Sequence, residues 1–120
     1  MRVRADLPVR VASLKNSVAP MQCLLANVSV SGARIDSSQP LPQDETVVGL
    51  QFALIAPPSN QETQVSTRAT IRNLAVARPA DGQRETYSYG VQFTDLDPVH
   101  YTLLQNMTYE ALLADRAKIV

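Results

Sequence analysis

Apolar residues recur at every second position through most of this chain, and helical spacing takes over only at its end. Leu7, Val9 and Val11 alternate with Pro8, Arg10 and Ala12, which predicts a first strand whose proline suits an edge or a strand start. Met21 to Val30 reads as the second strand, and after Gly32 a short third runs through Ala33 and Ile35. Thr46 to Ala56 is apolar on both faces, with Val48, Leu50, Phe52 and Leu54 against Val47, Ala53 and Ile55. That pattern predicts a strand covered on both sides or covered by a helix. Val65, Thr67, Ala69 and Ile71 then alternate with Ser66, Arg68, Thr70 and Arg72. Tyr87, Tyr89, Val91 and Phe93 alternate with Ser88, Gly90, Gln92 and Thr94. Turn and loop chemistry falls between these runs, at Asn16 to Pro20, Asp36 to Glu45, Pro57 to Asn60 and Pro79 to Gly82. Six such runs with no helix between them predict an all-β fold, a six-stranded antiparallel β-barrel.

The change of period comes at Asp97-Pro98, an N-cap followed by proline at the first helical position. Leu96 before the cap is placed to pack on Tyr101 as a hydrophobic staple. Leu103, Leu104, Met107 and Ala111 share one face, so a single C-terminal α-helix is expected from about Pro98 to Asp115, laid across the barrel. Arg116 and Lys118 follow its end, where positive charge favours the helix dipole.

At 120 residues the chain makes one domain with a core large enough to need neither disulfide nor metal. Its net charge is zero, so a broadly basic surface for a nucleic-acid polymer is not indicated. The positive charge is mostly guanidinium, nine Arg against Lys15 and Lys118. Arginine suits bidentate recognition of phosphate and of a guanine edge. Cys23 has no second cysteine to pair with and lies in an apolar run, where it packs as a small hydrophobe. No apolar run reaches membrane-spanning length and the start is no signal peptide, so a cytoplasmic location without membrane insertion is expected. Catalysis would have to use His100 or Cys23, and neither sits in a nucleophile or acid–base arrangement. One cysteine and one histidine do not make a zinc site. The chain reads as a non-enzyme without catalytic or metal-ligating residues.

Binding chemistry concentrates in Asn27-Val28-Ser29-Val30-Ser31-Gly32-Ala33-Arg34-Ile35. Val28 and Val30 take one face and Asn27, Ser29 and Ser31 the other, until Gly32 interrupts the run. A glycine there marks a bulge, a bend, or a place where something approaches the backbone closely. The residues alone read first as a polar face leading into a turn, since Ser and Asn beside Gly are ordinary turn chemistry, and second as small donors and acceptors that leave room for a ligand.

Asn27-x-Ser29-x-x-Gly32 resembles the Asp/Asn-x-Ser-x-x-Gly signature of PilZ domains, bacterial receptors for the second messenger cyclic di-GMP. It lies one strand downstream of an Arg-rich start, within a run of strands that ends in a single helix, and that order is PilZ-like over nearly the whole chain. The resemblance implies a six-stranded barrel with a C-terminal helix and a ligand rather than a cofactor, cyclic di-GMP. It also implies a division of labour between an Arg-x-x-x-Arg segment before the barrel and the Asn/Asp-x-Ser-x-x-Gly strand. Carried over by position, the ligand-binding candidates are Arg2, Asn27, Ser29 and Gly32, with Arg4, Ser31 and Arg34 as secondary candidates. The two polar side chains are expected to serve the ligand and not the fold, so that Ser29→Ala and Asn27→Ala leave stability nearly unchanged.

The Arg-x-x-x-Arg pattern is incomplete, because Asp6 stands four residues after Arg2 and Pro8 four after Arg4. The expectation is a single PilZ-like domain over residues 1–120, cut as a C-terminal fragment from a longer protein. Gly90-Val91-Gln92-Phe93 and Tyr109 to Leu113 resemble the C-terminal PilZ domain of flagellar-brake proteins. Two functions follow. One is a cyclic di-GMP sensor that reshapes its N-terminal segment and a contact with a protein partner or an adjacent N-terminal domain, with the flagellar motor among the candidates. The other is a degenerate PilZ-like domain that binds no nucleotide and serves protein interaction.

Overall fold

The computed structural model describes residues 2–14, 19–41, 46–56, 61–78, 84–114 and 119. Six strands form in chain order: β1 (Val3–Ser13), β2 (Met21–Val28), β3 (Gly32–Ser37), β4 (Val47–Ala56), β5 (Gln61–Ala77) and β6 (Thr86–Phe93). One helix follows, α1 (Pro98–Ala114). The strands close into a barrel in the order β1-β2-β3-β6-β5-β4. Every neighbouring pair is antiparallel, and β1 against β4 completes the ring, from Val9↔Phe52 to Ser13↔Val48. Closure leaves the barrel wall without free sheet edges.

The alternation read from the sequence carries directly into the core. Val9, Val11, Val48, Leu50, Phe52, Leu54, Val65, Ala69, Tyr89 and Val91 point inward and are buried. Tyr89 also carries a hydroxyl inside, and that oxygen accepts the Leu41 backbone N–H at 2.8 Å, so a buried polar group is satisfied. The outer face of β4 differs from expectation. Val47 and Ala53 are half-buried and Ile55 is 54% exposed, so this strand is covered on one face only. Its apolar outer residues are ordinary surface hydrophobes.

The boundaries of four strands also differ. β1 begins at Val3, immediately after Arg2, and carries an irregularity between Arg4 and Leu7 where Asp6 adopts φ = 50°. Aspartate tolerates this left-handed conformation better than most residues, and it kinks the strand start away from the rest. β2 ends at Val28, not Val30, because residues 29–31 turn the chain into β3. β3 itself runs on through Asp36 and Ser37, which had read as loop. β5 continues past Arg72 to Ala77, with a register shift between Ile71 and Asn73, and its extension leaves Leu74 and Val76 exposed. The turn residues expected at 16–18, 42–45, 57–60 and 79–82, and Lys15, Asp115, Arg116 and Lys118, lie outside the described residues.

α1 starts as read, with the Asp97 carboxylate accepting the Val99 backbone N–H at 2.8 Å. Leu96 packs against the core, whereas Tyr101 stays 44% exposed, so the helix start is held by the cap and by Leu96 on the barrel. Leu104 belongs to the core and is 1% exposed, and Leu103 and Met107 pack beside it. Helix and barrel therefore share one hydrophobic interior. Cys23 is half-buried against the core as expected, and burial pushes its thiol up from the ordinary range despite a hydrogen bond with Ser37. Leu104→Ala is expected to destabilise the domain by about 2–5 kcal/mol in urea unfolding. Tyr109→Ala, at a position 61% exposed on the same helix, should be neutral in the same measurement.

Candidate functional site

The site begins with one extra residue. Asn27 opposes Arg4 on β1 and Arg34 on β3, while Leu25 opposes Leu7 and Ile35, so Ala26 is left over on β2. Such a bulge resets the in–out alternation. Leu25 and Val28 both reach the core, and Asn27 between them joins the outer row formed by Arg4, Arg34, Gly90 and Asn73. Asn27 is nonetheless only 9% exposed. An Arg2 guanidinium nitrogen donates to its side-chain oxygen at 3.2 Å, which joins the N-terminal candidate to the motif. Arg2 is half-buried there, not a frayed terminus.

Ser29 closes the turn that follows. Its hydroxyl oxygen accepts the backbone N–H groups of Ser31 and Gly32 at 3.2 and 3.3 Å. Its own backbone N–H donates to the Gly32 carbonyl at 2.8 Å, and Ser31's carbonyl accepts Phe93 N–H at 2.9 Å. At 4% exposure Ser29 is buried by the turn it organises. The expectation that this serine spares the fold is therefore corrected, since removing a buried acceptor of two N–H groups leaves both unsatisfied. Gly32 has an equally concrete reason to be glycine. A Cβ there would run into the Val91 carbonyl oxygen of β6, with the Val91 carbonyl carbon at 3.2 Å. Any side chain would push β3 off β6.

Beside this turn lies an open cleft of about 260 Å³. Arg2, Ser31 and Gly32 line it together with Arg72, Asn73 and Gln92. The structure thus brings together three of the sequence-derived candidates and sets Asn27 and Ser29 behind the wall as its supports. Asn73 lies where a Cβ on Gly90 would be, its side-chain carbon at 3.0 Å from that position. Among the lining residues are two arginines and no carboxylate, so the cleft favours an anion.

Two secondary candidates stand apart from it. Arg4 is exposed at the edge of the Asn27 row. Arg34 makes a two-pronged pair with Asp36, at 3.1 and 3.0 Å, and Asp36 also accepts the Ser88 hydroxyl at 2.8 Å. The Arg34 guanidinium, helped by Ser88, holds the Asp36 carboxyl below the usual carboxylate range against the opposing effect of burial, and Asp36 in turn raises Arg34. A guanidinium neutralised in this way is a poor free group for a ligand. Sequence reasoning missed Arg72, Asn73 and Gln92 because they sit on β5 and β6, about as far along the chain as the barrel allows. The glycine at position 90 was the one local signal.

Larger depressions of about 440 Å³ each lie on the outer face of β1, β4 and β5, sharing Arg10 and Gln51. They contain none of the motif residues, and one of them sets Asp95 beside Arg10 and Arg68. His100 is half-buried and not a plain surface imidazole, and its Nδ1 is buried without a hydrogen-bond partner among the described residues. No three His, Cys, Asp or Glu side chains gather as a metal would require among the described residues, and no helix there is long and apolar enough to cross a membrane.

Against known families, the model described as PilZ domain matches residues 1–110. The chain belongs to the PilZ domain family. Solved structures agree on the fold. The chain is similar to the PilZ domain of YcgR from Escherichia coli, solved with c-di-GMP, at 14% identity and a TM-score of 0.65, covering 100% of this chain and 96% of that one. Bacillus subtilis MotI/DgrA, an inhibitor of motility, is 19% identical with a TM-score of 0.65, covering 97% of this chain and 53% of its own. Borreliella burgdorferi PlzA, solved in complex with c-di-GMP, is 6% identical with a TM-score of 0.60, covering 99% and 53%. This PilZ domain thus spans about half the length of MotI and PlzA. A search of curated proteins returns no match.

Two outcomes follow for stability. Ser29→Ala should cost about 1–3 kcal/mol in chemical unfolding, and Gly32→Ala about as much through the Val91 clash. Because the folded Asp36 carboxyl is held low, its contribution is present above the ordinary carboxylate range and is lost as pH falls through the lowered value. The stability gap between the native domain and Asp36→Asn, worth about 1 kcal/mol or less for so exposed a pair, should therefore close on acidification.

Proposed function

We propose that this PilZ domain is a cyclic di-GMP sensor whose binding surface is the cleft beside the Ser29 turn. The observation that carries the reading is the complete Asn27-x-Ser29-x-x-Gly32 turn set against a cleft with arginines and no acid. A cyclic dinucleotide brings two anionic phosphates and two guanines with acceptors at O6 and N7, and arginine matches both. The cleft lies just below the roughly 300–1,000 Å³ of full small-molecule pockets, so it seats part of the ligand and the N-terminal segment covers the rest. Arg2 is the first ligand contact we assign, Ser31 and Gly32 present turn backbone to it, and Asn27 and Ser29 fix that backbone.

In the free domain Arg2 is held by Asn27. Ligand acceptors compete for the same guanidinium, and release of Arg2 from Asn27 displaces its side chain at the start of β1. That displacement is the signal passed to a protein partner or an adjacent domain. Restraint of motility, the role named for MotI, is the output we assign first, and a diffusible intracellular ligand places the domain in the cytoplasm. The rival reading, a degenerate interaction domain, draws on the incomplete Arg-x-x-x-Arg segment.

Calorimetric titration with cyclic di-GMP separates the two. Saturating ligand at a hundredfold over Kd should stabilise the domain by about 2.7 kcal/mol, an upward shift in Tm on the order of 10 °C. Arg2→Ala should weaken binding about ten- to a hundredfold while leaving the unliganded Tm nearly in place. No heat and no shift would leave the interaction domain as the function.

A further inference from the structure

Arg72 is the cleft arginine that the motif does not account for. It falls at the register shift of β5, between Ile71, which opposes Val91, and Asn73, which opposes Gly90, and so has no partner residue on β6. A bulged residue is aimed differently from its neighbours, and this one lines the motif cleft together with Arg2. Its Nε donates to the Gln92 side-chain oxygen at 2.9 Å. That bond orients the guanidinium without cancelling its charge, because the acceptor is a neutral amide. Three other arginines are committed differently, Arg34 to Asp36 at 3.0 Å, Arg78 to Glu85 at 3.0 Å, and Arg2 to Asn27, and of the arginines only Arg2 and Arg72 line this cleft. Among the described residues the Nη1/Nη2 end of Arg72 has no partner. An oriented, uncompensated fork at the rim of an acid-free cleft is built to receive a pair of acceptors.

The geometry points to Arg72 as the second guanidinium of the ligand site, which takes an acceptor pair of the ligand end-on through Nη1 and Nη2. This inference rests on the cyclic di-GMP reading and deepens it. This pair of arginines is assembled in space, one from the start of β1 and one from the bulge of β5. The acceptor pair is either two phosphate oxygens or O6 and N7 of a guanine, which present the same spacing to a guanidinium fork. Gln92 positions Arg72. Removing it frees the side chain to sample other rotamers and weakens binding less than removal of the arginine itself.

The test is calorimetric titration of cyclic di-GMP into Arg72→Ala, Arg72→Lys, Gln92→Ala and Arg10→Ala, with Tm measured for each. Arg10 is exposed and lies outside this cleft, and it serves as the control for net charge. Loss of about ten- to a hundredfold in Arg72→Ala and Arg72→Lys is expected, with a loss of a few-fold in Gln92→Ala and none in Arg10→Ala. All four unliganded domains should keep their Tm. If Arg72→Ala binds within twofold of the native domain while Arg2→Ala is impaired, Arg72 is no ligand group and the sensor reading stands without it. Equal losses in Arg72→Ala and Arg10→Ala, or full rescue by Arg72→Lys, would reduce the effect to bulk charge and overturn the fork. Absence of binding by the native domain overturns both the sensor and this inference.

Discussion

With Ala26 inserted opposite no residue of β3, the side chains of β2 change sides between Leu25 and Asn27. Had regular alternation run on through Ala26, Asn27 would enter the core and Val28 would leave it, exchanging a buried hydrophobe for a buried amide. The bulge therefore does two things at once. It keeps the barrel interior apolar, and it brings Asn27 into line with Arg4 and Arg34 on the outer wall. The matching irregularity on β1, with Asp6 at φ = 50°, lets the strand start follow the bulged strand and delivers Arg2 onto Asn27.

The Ser29 turn extends the same logic. Ser29 is buried, organises two backbone N–H groups and fixes where the chain re-enters the sheet as β3. Gly32 then passes so close to the Val91 carbonyl that no side chain fits between the strands. Fold and site share these residues. The polar signature read from the sequence as ligand chemistry is, in its central members, the chemistry that shapes the cleft wall.

Charge at the site is sorted by what each guanidinium touches. A carboxylate partner, as at Arg34, spends the positive charge locally and makes a strut across the outer wall. An amide partner, as at Arg2 and Arg72, sets direction and leaves the charge for something else. The net charge of zero hides this arrangement, because the acids are simply elsewhere. A local surplus of positive charge on a neutral protein is what recognition of a small anion requires, without the broad basic surface that would gather nucleic-acid polymers.

The strands, the barrel and the capped helix were legible in the sequence because each rests on local information. Alternation sets which residues of a strand face inward, and Asp97-Pro98 sets where a helix begins. The same alternation misread β4 as covered on both faces, since composition cannot say whether anything lies over Ile55. It also stopped β5 at Arg72, because a bulge inverts the pattern and the extension beyond it pairs with β6 alone. Asn27, Ser29 and Gly32 could be singled out from their spacing, but their separate tasks could not. Those tasks depend on which backbone passes beside them: Arg2 across β1, Val91 and Phe93 on β6. What only the tertiary structure decided is the meeting of Arg2, Gly32 and Arg72 in one cleft. Antiparallel pairing across a closed barrel brings together strands far apart in the chain, and no local pattern records the register in which they meet.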